Sequence, residues 1–143
     1  MIKEFEKYIE EGIVFKITPD VQRANNLVLE SDRKYNFLLE IINKTGIDDD
    51  KANDYVESCY NILLFLIRSK MLMEGYNSSG QGAHEAEISF AKKIGISEKE
   101  AVFLDRLRYF RNGILYYGKR FDKEYAEKAI EFTKKIRDKL KNV

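Results

Sequence analysis

Four residue types are nearly missing from this chain of 143 residues. It has one cysteine, one histidine, one proline and no tryptophan. A lone Cys59 excludes an intramolecular disulfide and any cysteine-based metal cluster. With only His84 to join it, the usual zinc sites are excluded too, so neither a metal nor a cofactor is expected. An excess of charge of one sign is also missing. Lys and Arg number 25 against 24 Asp and Glu, for a net charge of +1. That balance excludes a uniformly basic coat and leaves room for a local basic patch. No apolar run approaches the roughly 18 residues of a membrane span. The opening stretch MIKEFEKYIEEG is charged where a signal peptide would be apolar. These absences point to a soluble cytoplasmic protein that does not use a membrane. Sustained apolar–polar alternation is absent as well, and Pro19 stands near the N-terminus, so nothing argues for strands and nothing interrupts long helices further on.

What remains is rich in Lys, Glu, Leu and Ile. The chain is 44 % hydrophobic and 13 % aromatic, enough to bury a core in a single domain spanning residues 1–143. The reading is all-α, a bundle of four to six helices. A first helix is expected over Ile2 to about Ile13. Thr18 or Asp20 can cap a second helix, with Pro19 suited to its first turn. That helix runs from about Asp20 to Lys44, with Val21, Val28, Tyr35 and Ile42 in one seven-residue row and Ala24, Ser31 and Leu38 in the other, and Thr45-Gly46 ends it. A third runs from about Asp49 to Glu74. Its rows are Ala52, Cys59, Leu66 and Met73, then Val56, Leu63 and Lys70. The stretch Ile62 to Ile67 is apolar nearly all round, which makes this helix central.

Asp48-Asp49-Asp50 is read as the cap of that third helix, complementing its N-terminal partial charge, in preference to a metal site. Cys59 lies on the apolar row and reads as a buried, inert thiol. The polar loop Tyr76 to Gly82 lacks the Lys and the spacing of a phosphate-binding loop. A short fourth helix follows over Ala83 to Ile94, closed by Gly95. Ser97 and Glu100 form a capping box for a fifth helix that runs to about Tyr117. Asp122 caps a sixth, to about Lys141, with Tyr125, Ala129, Phe132 and Ile136 as its stripe. Its Lys134, Lys135, Arg137, Lys139 and Lys141 read first as complements to the helix dipole.

The fifth helix carries the chemistry. At about 100° per residue, Phe103, Leu107, Phe110, Ile114 and Tyr117 share one face, and Asp105, Arg108, Asn112 and Tyr116 share the other. Arg111 sits beside the apolar face. It must snorkel, pair with an acid such as Glu57, Asp54 or Asp105, or line a cleft. Gly113 costs about 1 kcal/mol mid-helix and implies close approach by a helix or ligand. Between Arg106 and Arg120, five cations alternate with Tyr109, Phe110, Tyr116 and Tyr117. Such a mixture can hold phosphates and stack bases, or serve an ordinary helix contact.

Three segments resemble the HEPN superfamily, the helical domain named for its occurrence in higher eukaryotes and prokaryotes and for nucleotide binding. They are Gly12 to Asp20 leading into the second helix, as in archaeal members; Tyr60 to Met73 with Gly75-Tyr76 and then His84-Glu85; and Leu107 to Gly118. The resemblance is strongest over residues 12–140. It implies an up-and-down bundle that forms a homodimer, with two copies of an Arg–polar–His motif in a shared cleft. Many members cut RNA without a metal, Arg stabilising phosphate charge and His moving the proton. Many prokaryotic members pair with a minimal nucleotidyltransferase as toxin and antitoxin. Carried over, Arg111 matches the Arg, Asn112 the polar residue, and Tyr116 stands where the motif has His. With a pKa of about 10, Tyr is a poor base at neutral pH. Arg111 and Tyr116 lie roughly 140° apart around the helix, so they flank a cleft instead of forming one stripe.

The expected catalytic set is therefore Arg111, Asn112 and Tyr116, and the expected nucleic-acid or nucleotide contacts are Arg108, Arg111, Tyr117, Lys119 and His84. His84 has a structural alternative, capping its helix or packing beside Tyr76. Three functions follow: a dimeric HEPN-like module that binds RNA, a nucleotide or a partner without strong catalysis; a metal-independent endoribonuclease toxin; or a structural helical subunit.

Overall fold

The computed structural model describes residues 2–142, with backbone alone for Leu115 and Tyr116. Six helices and one two-stranded sheet follow in the order α1 (Phe5–Glu10), β1 (Val14–Lys16), α2 (Val21–Thr45), α3 (Ala52–Met73), β2 (Tyr76–Ser78), α4 (Ala83–Lys93), α5 (Glu98–Tyr117) and α6 (Lys123–Lys141). The all-α reading and the helix count hold. No helix among the described residues is long and apolar enough to cross a membrane.

Helix α3 is the axis. Cys59, Tyr60, Ile62, Leu63, Leu66 and Ile67 on it are all buried, as a helix apolar nearly all round requires. Helix α2 runs antiparallel along it, tied at three heights. The Asp20 amide donates to the Leu72 carbonyl at 3.1 Å. The Ser31 hydroxyl donates to the Ile62 carbonyl at 2.8 Å. The Tyr55 hydroxyl donates to the Gly46 carbonyl at 2.9 Å. On α2 only Ala24, Ser31 and Leu38 are buried. Two of these three are small, which lets the backbones approach closely. The other expected row is marginal, and Val21 is exposed. On α3, Met73 at the end of its row is exposed as well. Helix α6 packs on α3 through Ala126, Ala129, Thr133 and Ile136. The Cys59 thiol is fully buried, and burial pushes its pKa up to about 12.

The caps stand where their residue types place them. Asp20 accepts from the Arg23 amide, Asp122 accepts from the Tyr125 amide, and Ser97 and Glu100 close a reciprocal capping box. The acidic triplet departs from expectation. Only Asp48 acts locally, accepting from the Lys51 amide and side chain. Asp49 accepts from the Lys123 amide at 2.7 Å, and Asp50 reaches Arg120 at 3.4 Å. Two of the three acids thus dock the chain entering α6.

The first helix is shorter than its pattern suggests because Gly12 turns the chain at φ +76° into β1. Strand β1 pairs antiparallel with β2 in the register Val14↔Ser78, Phe15↔Asn77 and Lys16↔Tyr76. Gly75 makes this crossing feasible. Its φ is +82°, and a Cβ there would sit 2.8 Å from the Ile17 carbonyl oxygen, so no other residue fits without a backbone shift. The sheet fixes the polar loop against the start of α4.

The cations of α6 do more than complement a dipole. Lys135 and Lys139 both bind the buried Glu100 carboxylate of α5, and Arg137 and Lys141 both bind Asp32 of α2. Burial alone would raise the Glu100 pKa. Hydrogen bonds from Lys139, the Ser97 amide, Lys135 and the Ser97 hydroxyl outweigh it and hold the value down to about 2.

Candidate functional site

Arg111 is half-buried on α5, close to the point where α5 and α4 both meet α3. Its guanidinium carbon lies 5.9 Å from the centre of the Tyr60 ring, within cation–π range. Its Nε is buried with no hydrogen-bond acceptor, and no carboxylate pairs with it among the described residues. The expected ion pair with Glu57, Asp54 or Asp105 is not formed. Asp105 is engaged instead by Arg108, whose Nε donates to Oδ1 at 2.8 Å. Arg111 as a whole is only partly buried, and its guanidinium carries five N–H donors.

Tyr60 is the floor on which the cluster is assembled. It is 1 % exposed, and its hydroxyl lies 3.3 Å from His84 Nδ1. His84 opens α4 and is half-exposed; its Nδ1 lies 3.7 Å from Oε1 of Glu87, one turn further on. Glu87 is fully buried and accepts from Nε of Arg68 on α3, with a longer contact from Nη2 at 3.4 Å. Three arginines, Arg68, Arg108 and Arg111, thus surround Tyr60 and His84, and the carboxylates of Glu87 and Asp105 stand against them. The balance is one net positive charge.

The electrostatics follow from this crowding. Burial lowers the pKa of His84 below its usual 6.5, and the Arg68, Arg111 and Arg108 charges lower it further, so the ring is neutral at pH 7. Burial raises the pKa of Glu87, with Arg68 acting against it. Burial also raises that of Tyr60, with Glu87 adding to it. The Tyr60 hydroxyl therefore stays protonated and available as a donor.

The cluster gathers three of the residues singled out from sequence: Arg108, Arg111 and His84. His84 packs against Tyr60 with ring centres 6.2 Å apart. It does not pack beside Tyr76, which lies against Phe5 and Phe90. Asn112 is half-buried, the next residue along α5 from Arg111. Tyr117 leaves the apolar face altogether, at 81 % exposed. Lys119 lies at the end of α5. Its side-chain stem would stand 3.3 Å from a Cβ on Gly113, so the close approach expected at that glycine is made by the chain turning back on itself. The Lys119 carbonyl accepts from the Asn53 amide at 2.7 Å. The side chain of Tyr116 lies outside the described residues. No three His, Cys, Asp or Glu side chains converge as a metal site among the described residues.

Tyr60, Arg68 and Glu87 do not stand out as site residues from sequence. A faint signal exists for two of them. Arg68 closes the apolar run of α3, and Glu87 interrupts the apolar Ala86–Ile88 stretch three residues after His84. A charge at such a position needs a partner. No family model, curated protein or solved structure matches this chain.

Proposed function

We propose that this chain is a HEPN-like module that binds RNA or a nucleotide through the Arg111–Tyr60–His84 cluster, without strong catalysis of its own. The observation that carries the reading is Arg111. A guanidinium held over an aromatic ring, with Nε buried and no carboxylate, is a costly arrangement unless an anion from outside completes it. A phosphate is the matching anion for its planar fork. Tyr109 and Tyr117 stand exposed on the same helix and offer ring faces to unpaired bases. Two copies sharing the cleft, or a minimal nucleotidyltransferase docked on it, belong to the same proposal through the resemblance alone.

The test is equilibrium binding of a single-stranded oligoribonucleotide. Arg111→Ala is expected to weaken binding about tenfold to a hundredfold, as loss of charged hydrogen bonds does. The slope of log affinity against log salt should become shallower by about 0.7 for each phosphate that the variant no longer neutralises. Wild-type binding that Arg111→Ala leaves unchanged would overturn the proposal.

One observation favours a second reading, a metal-independent endoribonuclease toxin. Neutral His84 stands in the same cluster as Arg111, and in the tautomer whose Nδ1–H donates to the Tyr60 oxygen its Nε2 is free to take a 2′-hydroxyl proton. That reading requires RNA cleavage in EDTA that is lost in both Arg111→Ala and His84→Ala. Intact RNA after incubation with the wild-type protein would remove it.

A further inference from the structure

A concavity lies beside Glu87. It measures about 230 Å³; its polar wall is Arg23 of α2, Arg68 of α3, Asn77 and Ser78 of β2 and Glu87 of α4, and Met71, Leu72, Tyr76 and Ala83 complete it. The sheet assembles it. By pairing with β1, β2 carries Asn77 and Ser78 over the gap between the end of α3 and the start of α4.

The donors outnumber the acceptors that face them. Arg68 has five N–H groups, and Glu87 accepts from its Nε and, at longer range, its Nη2. Arg23 is exposed, and its guanidinium meets no carboxylate among the described residues; Asp20 accepts only from its backbone amide. Two arginines line the space from different helices. A planar carboxylate is satisfied by one fork, whereas a tetrahedral oxyanion can accept from two directions. Asn77 and Ser78 line the space from β2, where successive side chains alternate, so one of the two can turn its donor inward, and the first turn of α4, which has no side-chain cap, adds partial positive charge. One phosphate group fits the volume.

We infer that the Arg23–Arg68–Asn77–Ser78 pocket holds a terminal phosphate group, either free or at the end of an RNA strand whose next nucleotides lie toward Arg111. The RNA arm rests on the binding function proposed above; the phosphate arm does not. Arg68 links the two sites, because the carboxylate it holds is also the one beside His84.

The experiment is a titration of the isotopically labelled full chain with inorganic phosphate, followed by the amide signals of Asn77, Ser78 and Ala83. A parallel measurement compares a 5′-phosphorylated oligoribonucleotide with its 5′-hydroxyl twin. Saturable shifts at these amides with low-millimolar phosphate are expected, weakened about tenfold in Arg23→Ala and unchanged in Arg33→Ala, which removes an exposed arginine paired with Glu30. A preference for the phosphorylated strand that disappears in Arg23→Ala assigns the pocket to an RNA end. Phosphate binding without that preference assigns it to a free phosphate. Absence of saturable shifts together with equal binding of the two strands overturns the inference, even if Arg111→Ala still weakens RNA binding. Saturable phosphate binding by a protein that binds neither strand would instead overturn the RNA function and keep the pocket.

Discussion

Arg111 and Arg137 read differently in the sequence, one beside an apolar face and the other among the cations that complement the α6 dipole, and the structure gives them a common start and opposite ends. Both lie over a tyrosine ring, Arg137 over Tyr35 at 4.2 Å and Arg111 over Tyr60 at 5.9 Å. Both bury an Nε without an acceptor. Arg137 donates to Asp32, which Lys141 also binds at 2.6 Å, and so joins α6 to α2. Arg111 has no acid opposite it among the described residues. The fold spends its carboxylates where helices are joined, at Asp32 and Glu100, and leaves the α3–α4–α5 cluster one short. The two cations thus differ in what stands opposite them, and that is decided by packing between helices.

The sharpest way to break this contrast is at Arg68, which belongs to both categories. Arg68→Ala leaves the buried Glu87 carboxylate unpaired and is expected to cost about 3 kcal/mol in denaturant unfolding. Because the folded-state pKa of Glu87 is already raised above its unfolded value, the variant should be relatively more stable at pH 5 than at pH 7.5, with stability falling as pH rises from the unfolded value of 4.5 toward the raised one. Glu87→Gln, which keeps the shape and removes the charge, should cost about 1 kcal/mol or less.

Glu100 tests the stabilising category. Its pKa falls from 4.5 to about 2 on folding. The stability it contributes, on the order of 2–3 kcal/mol, is fully present above about pH 4.5 and is lost as pH falls through about 2. Glu100→Gln should lower stability at pH 7 and flatten the unfolding profile across that acid window. The paired arginines give a smaller and more pointed difference. Arg137→Ala should cost about 1–2 kcal/mol, since Lys141 remains to cover Asp32, and Arg111→Ala should stay within about 0.5 kcal/mol of wild type.

His84 gives the smallest effect. Its pKa is lowered on folding, so the stability tied to its neutral form is present above pH 6.5 and is lost as pH falls through the folded value. His84→Gln should remove that shallow slope. In the same range, protonation of wild-type His84 adds a cation to the cluster, so RNA affinity should rise as pH falls, and His84→Gln should abolish the rise.

Local chemistry is legible in the sequence and long-range assembly is not. Asp20, Ser97 with Glu100, and Asp122 mark helix starts because an N-cap side chain accepts from an amide three residues on, and Gly118 marks an end because it takes up the left-handed conformation there. The centrality of α3 follows from the apolar run at Ile62–Ile67. The two strands give no signal because three residues are too few to show alternation and their partners lie some sixty residues apart. Asp49 and Asp50 read as caps of the nearest helix, whereas their partners begin the last one. At the site, Arg111 is visible as a cation out of place on its helix. Tyr60, Arg68 and Glu87 come from α3 and α4, and the packing that joins them to Arg111 cannot be read from the period of any single helix. Tyr116, which stands where the resemblance to HEPN proteins would place His, has its side chain outside the described residues.

The most direct test of the contrast places Arg111→Ala and Arg137→Ala beside wild type and measures, for each, affinity for a single-stranded oligoribonucleotide and free energy of unfolding. The account predicts a crossing. Arg111→Ala loses about tenfold or more in affinity with stability nearly unchanged, and Arg137→Ala loses stability while the folded fraction binds RNA as wild type does. Equal losses of affinity, or a loss of stability in Arg111→Ala as large as in Arg137→Ala, would show that both arginines serve the fold and that the α3–α4–α5 cluster is not a binding site.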